Sequence, residues 1–116
     1  IKPVEEDVEK LVLKTFTESI NLLGGPKNLI KHKHLTWLPS LMEACYVIVL
    51  RERFLKTVEE IAKELGLSVQ TVRNILQSKE ELIVKKLREG LQVKEHVAGG
   101  LAKLAWKRVK HESNLC

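Results

Sequence analysis

The sequence predicts a single all-α domain of about five or six helices, spanning residues 1–116. Three observations carry that expectation. Apolar residues recur at steps of three and four along much of the chain, the spacing that lines one face of a helix. At 116 residues with 44% hydrophobic side chains, the chain can bury one compact core and has little room for a second. Residues 57–78, TVEEIAKELGLSVQTVRNILQS, carry the full set of signals for two helices joined by a tight turn. The chain starts at Ile1 without an initiating Met, so its length is read as a lower bound.

Val4, Val8, Leu11, Val12, Phe16, Ile20 and Leu23 form the first apolar stripe, with Glu5, Glu6, Glu9, Lys10 and Glu18 in the gaps. An amphipathic helix therefore opens the chain. Gly24-Gly25-Pro26 ends it, because Gly accepts the left-handed conformation that follows a helix and Pro cannot extend the hydrogen-bond ladder. Pro26 also suits the start of a short helix running to residue 33. After the basic KHKH at 31–34, Thr36 or Ser40 is placed to cap a helix over residues 41–54 that is apolar nearly all round. A strand competes over 46–50, where Val and Ile gather. The flanking Leu41, Met42, Glu43, Ala44, Arg51 and Glu52 are good helix formers, and the combined length exceeds a typical strand, which favours helix. This is the expected central buried helix, with Cys45 inside it and Trp37 packing its entry.

Leu82, Val84, Leu87 and Leu91 mark a later helix, weakened near its end by Gly90, and Gly99-Gly100 is expected to interrupt the pattern. In the final segment Leu101, Ala105 and Val109 share one face while Lys103, Lys107 and Lys110 occupy others, the pattern of a basic amphipathic helix. Trp106 falls off that stripe. A subunit contact and burial against the N-terminal helix are both open for it.

Within 57–78, Thr57 and Glu60 have the spacing of a capping box: the hydroxyl accepts from the Glu60 amide, and the carboxylate reaches back to the Thr57 amide. A helix then begins at Val58, buries Ile61, Ala62 and Leu65, and turns at Gly66. Leu67 plugs the corner. Ser68 caps a second helix whose inner face is Val69, Val72, Ile75 and Leu76. Small Ala62, where the helices must approach, and the spacing of Gly66, Val72 and Ile75 together define a helix-turn-helix.

The stretch AKELGLSVQTVRNIL resembles the helix-turn-helix of prokaryotic regulators, including the LuxR type and the DNA-binding regions of sigma factors. That resemblance covers roughly a fifth of the chain. It implies a transcriptional regulator that inserts the 68–77 helix into the major groove of double-stranded DNA, with Ser68, Gln70, Thr71, Arg73, Asn74 and Gln77 on the exposed side. The chemistry suits the role: Arg73 has the fork for guanine, Asn74 or Gln70 the amide for adenine, and Ser68 and Thr71 the hydroxyls for phosphates. Lys56 and Lys79 flank the motif as further phosphate contacts. A homodimer reading two half-sites is the default for such proteins. The whole-chain arrangement, with LTWLPSL before the motif and HVAGGLAKLAW after it, also resembles a small archaeal family of proposed regulatory domains encoded beside KaiC-like ATPases. That second resemblance implies a non-catalytic signalling adaptor, with an ATPase as partner.

Charge qualifies the first reading. The net charge of +5 and pI near 9.3 suit a polyanionic partner. Over residues 51–81, however, six basic residues are balanced by six Glu, so the motif lacks the cationic surplus that drives non-specific affinity. The basic segments 27–34 and 103–110, or a second subunit, are then expected to reach the DNA backbone. Abundant Glu and Lys beside a single Asp, Asp7, match the composition of thermophile proteins.

Other chemistries find no support. There is no Gly-x-Ser-x-Gly, no His-Glu-x-x-His, no phosphate-binding Gly-Lys-Ser/Thr loop and no paired acids in a recognisable setting, so the chain is read as no enzyme and without a cofactor. Glu43 is read as the solvent-facing edge of its helix. His32, His34, His96 and His111 are poorly spaced for a metal, and Cys45 and Cys116 for a disulfide framework. No apolar run is long enough to span a bilayer and no leader pattern is visible, so the expected location is the cytoplasm, away from membranes.

Overall fold

The computed structural model describes residues 4–31, 37–88 and 98–113. Among the described residues the chain is all-α, with α1 Val4–Leu22, α2 Pro26–Lys31, α3 Leu38–Glu52, α4 Val58–Leu65, α5 Val69–Gln77, α6 Glu80–Arg88 and α7 Ala98–Ser113. These seven helices agree with the expected all-α domain of about five or six, and α2 is the short helix expected to start at Pro26. No helix among them is long and apolar enough to cross a membrane.

The centre is α3. Leu41, Ala44, Cys45, Val47, Ile48, Val49 and Leu50 are all at most 1% exposed, so this helix is wrapped on several sides, as its all-round apolar sequence requires. It packs against α1, α7, α5 and α4, and α7 in turn packs against α1, α5 and α6. Each fully buried Leu, Ile or Val contributes about 1.5–3 kcal/mol relative to exposure, which makes α3 the main source of cohesion. The helix starts at Leu38, earlier than expected. Trp37 is the N-cap without a side-chain cap bond, and Ser40 lies inside the first turn rather than capping it; Thr36 lies outside the described residues. Pro39 explains the early start, because a first-turn residue needs no amide hydrogen. Trp37 is buried, as expected.

The inner face of α1 contains Val8, Val12 and Ile20, but also Thr15 and Ser19, both fully buried. The stripe read from the sequence omits these two hydroxyls. They are accommodated because each bonds back within its own helix: Thr15 Oγ1 donates to Leu11 O at 2.7 Å and Ser19 Oγ to Thr15 O at 2.9 Å. Their small size brings Ser19 Oγ to 3.7 Å from Cys45 Sγ on α3. At the C-terminus of α1, Gly24 takes φ +108°, and the amides of Gly24 and Gly25 bond to Asn21 O and Ile20 O. This is the Schellman closure that Gly24-Gly25 suggests.

Two expectations fail near the C-terminus. The anchor of α6 is Ile83, 0% exposed, whereas Leu82 and Val84 are 49% and 37% exposed. Their burial depends on which face meets α7, which a nine-residue pattern does not specify. Leu91 and the side chain of Leu87 lie outside the described residues. Gly99-Gly100 does not interrupt a helix; both residues lie in the first turn of α7. A Cβ on Gly99 would sit 2.5 Å from Ile75 O, and one on Gly100 2.8 Å from Lys79 O. The glycines therefore serve close helix approach rather than a turn. Leu101, Ala105 and Val109 are buried as predicted, and Trp106, 5% exposed, is buried with them.

Burial pushes the Cys45 thiol up to about 12 despite its contact with Ser19. At pH 8 only about one part in ten thousand is thiolate, the reactive form. In a Cys116→Ser background, Cys45 should therefore stay unmodified by iodoacetamide in buffer and react fully in denaturant; rapid labelling of the folded chain would contradict its burial.

Candidate nucleic-acid interface

The helix-turn-helix is built by local rules. Thr57 is the N-cap of α4 in an extended conformation; its Oγ1 accepts from Glu60 N at 3.1 Å while Thr57 N donates to Glu60 Oε1 at 2.8 Å. The bond from the Thr57 backbone amide, with a smaller contribution from the Thr57 side chain, holds the Glu60 carboxyl below its ordinary range. Ile61 and Ala62 are buried. Gly66 follows in the left-handed conformation at φ +70°, and Leu67 N bonds back to Ala62 O at 2.9 Å, closing the turn. Ser68 then caps α5, accepting from Thr71 N at 3.0 Å. Val72 is the fully buried anchor of α5, with Val69, Ile75 and Leu76 partly buried around it.

The opposite side of α5 carries Gln70, Arg73, Asn74 and Gln77, all exposed and spaced i, i+3, i+4, i+7, so they form one continuous polar face. Gln70 Nε2 donates to Asn74 Oδ1 at 2.9 Å, which orients both amides. The remaining two candidates on α5 are placed differently. Ser68 Oγ, besides accepting the Thr71 amide, donates to Thr71 Oγ1 at 2.8 Å, so both hydroxyls are engaged in the cap. Thr71 is only partly exposed and turns toward a cleft of about 330 Å³ shared with Glu43, Ile75, Ser78 and Gly99.

Electrostatics around the head are balanced, in keeping with the composition. Arg73 Nη2 lies 3.9 Å from Glu59 Oε2, and Lys56 Nζ lies 3.9 Å from Glu64 Oε1. All four side chains are at least 41% exposed, so these pairs are weak, about 0–1 kcal/mol each, and yield readily to a stronger anion. Lys79 is exposed at the end of α5.

Part of the basic tail is engaged within the fold. Lys103 Nζ donates to Leu76 O and, at 2.8 Å, to Ser78 O; Lys107 pairs with Glu80, and Arg108 Nη1 lies 3.4 Å from Glu18 Oε2. Sequence reasoning reads these cations as the polar face of an amphipathic helix able to reach a DNA backbone, and so misses the role of Lys103 at the end of α5. The one signal available was its position four residues after Gly99, on the same helical face. Lys27 is exposed, whereas residues 32–34 of the other basic segment lie outside the described residues. The same is true of His96 and Cys116. Among the described residues no three His, Cys, Asp or Glu side chains gather as metal ligands.

Comparison of the chain with known protein families, curated proteins and solved structures finds no match.

Replacing Thr57 by Ala should cost about 1 kcal/mol of unfolding free energy, the usual worth of such a cap. Because the Glu60 carboxyl is lowered in the folded chain, its contribution is present above the ordinary carboxylate pKa and fades as pH falls through the folded value. Denaturant unfolding should accordingly find wild type and Glu60→Gln converging in acid and diverging at neutral pH. An unchanged difference across that range would contradict the capping box.

Proposed function

We propose that this chain is a cytoplasmic DNA-binding regulator that inserts α5 into the major groove of double-stranded DNA. The observation that carries the reading is the exposed face of Gln70, Arg73, Asn74 and Gln77 on a helix anchored from behind by Val72. Amide and guanidinium groups are the side chains suited to adenine and guanine edges, each good bidentate contact being worth about 1–3 kcal/mol of discrimination. The amides at the start of α5, joined by the Ser68 and Thr71 hydroxyls once these leave their mutual bond, are the groups that would meet phosphate. Lys56 and Lys79 serve the backbone on either flank.

The balanced charge of the head defines how binding proceeds. Arg73 must exchange Glu59 for a base, and Lys56 must exchange Glu64 for a phosphate, so affinity is modest for one subunit. Two subunits on two half-sites supply the rest, and the active form is a homodimer. The same balance favours a second reading, a signalling adaptor whose helix-turn-helix contacts a protein such as an ATPase. Exposed Leu55 at the α3–α4 joint, 81% accessible, fits such a contact.

Duplex mobility shifts over a salt series separate the two. On a selected duplex, Arg73→Ala should abolish preference over a scrambled one while retaining much of the salt-sensitive binding, and Glu59→Gln should tighten binding by releasing Arg73. Preference unchanged in Arg73→Ala would remove that residue from base reading. A chain that shifts no duplex and co-purifies with an ATPase would establish the adaptor instead.

A further inference from the structure

A helix ends with orphan carbonyls and the negative end of its dipole, normally answered by a basic residue in the last turn or by a left-handed glycine. α5 has neither. Its last turn, like the rest of its C-terminal half after Arg73, contains no basic side chain, and its C-cap Ser78 sits at φ −59° and ψ 137°, outside the left-handed region. The missing cation comes from another helix. Lys103 of α7, partly buried, donates through Nζ to Leu76 O and to Ser78 O, two of the last three carbonyls at this end.

The approach that allows this is made by the glycines one turn earlier. A Cβ on Gly99 would meet Ile75 O at 2.5 Å and Ser78 Oγ at 2.7 Å, so no other residue lets α7 come as near. One turn later on the same face, Lys107 pairs with Glu80, the first residue of α6. Gly99, Gly100, Lys103 and Lys107 thus form one stripe of α7 that grips residues 75–80, the joint between α5 and α6.

We infer that Lys103 is a positioning residue for the recognition face: its ammonium caps α5 from α7 and fixes the half of that helix bearing Asn74 and Gln77. This rests on the reading of α5 as the DNA-recognition helix. Gln70 and Arg73 are held by the Ser68 cap and the Val72 anchor at the other end, so loss of Lys103 affects the two halves unequally. The site read by α5 should then lose specificity at the base positions assigned to Gln77 and Asn74 and keep it at the rest.

The test uses Lys103→Met, which keeps the aliphatic stem, and Lys103→Arg, which keeps the charge and donors. In the free protein, amide exchange at residues 76–78 should speed up on the order of tenfold in Lys103→Met, while α3 stays protected. Duplex selection with that variant should lose on the order of tenfold discrimination at the positions also lost in Gln77→Ala, and Lys103→Arg should restore both readouts. If Lys103→Met does not fold, Lys103→Gln, with a neutral donor, should give the same pattern at reduced size. Unchanged exchange at 76–78 would overturn the cap itself. Faster exchange with specificity lost evenly across the site, or not at all, would overturn the positioning role. A native chain that binds no duplex, with exchange still altered in Lys103→Met, would refute the DNA reading and leave the cap standing.

Discussion

The first turn of α7 lies so close to the last turn of α5 that only hydrogen fits where side chains would be. Much else follows from this contact. Gly99 and Gly100 allow it, Lys103 reaches the end of α5 because of it, and Ile83 packs against Gly100 to bring α6 into the same cluster. α7, which also packs on α1 and α3, adds to the direct packing of α4 and α5 on α3 and makes the helix-turn-helix continuous with the main core rather than an appendage on it. Such support fixes the side chains that α5 presents, and in the proposed function it matters because errors of about 1 Å forfeit directional hydrogen bonds.

The stabilising energies divide along the same line. Burial of α3 supplies contributions of about 1.5–3 kcal/mol per large apolar side chain, whereas the exposed pairs around α4 and α5 supply about 0–1 kcal/mol each. The ion pairs at the head therefore add little to the fold and are free to be exchanged. Arg73 and Lys56, each 3.9 Å from a glutamate, are held loosely enough for a phosphate or a base to replace that partner. Under the proposed function, a neutral head weakens non-specific binding more than specific binding, because the former depends almost wholly on net cationic charge.

What was legible in the sequence was what is decided locally. The capping box at Thr57 and Glu60, the left-handed Gly66, the Ser68 cap and the closure at Gly24-Gly25 are each set by residues within a few positions of one another, and all appear as read. The polar face of α5 follows from helical periodicity alone. What was illegible depends on contacts between distant segments. Gly-Gly reads as a break until α5 lies across it, Ile83 cannot be told from Leu82 until α7 fixes the face of α6, and Lys103 looks like a solvent cation until Leu76 O and Ser78 O stand beside it. Thr15 and Ser19 escaped notice because a buried hydroxyl bonded within its own helix imitates a polar surface residue in sequence.

The central claim is that α5 reads base sequence. Selection from a pool of random duplexes by the purified chain at about 0.1 M salt, where long-range attraction is largely screened, tests it most directly. The account predicts enrichment of a short motif, repeated at a spacing of about one helical turn if the chain acts as a dimer. A pool that emerges unenriched, from a chain shown to be folded, would contradict it.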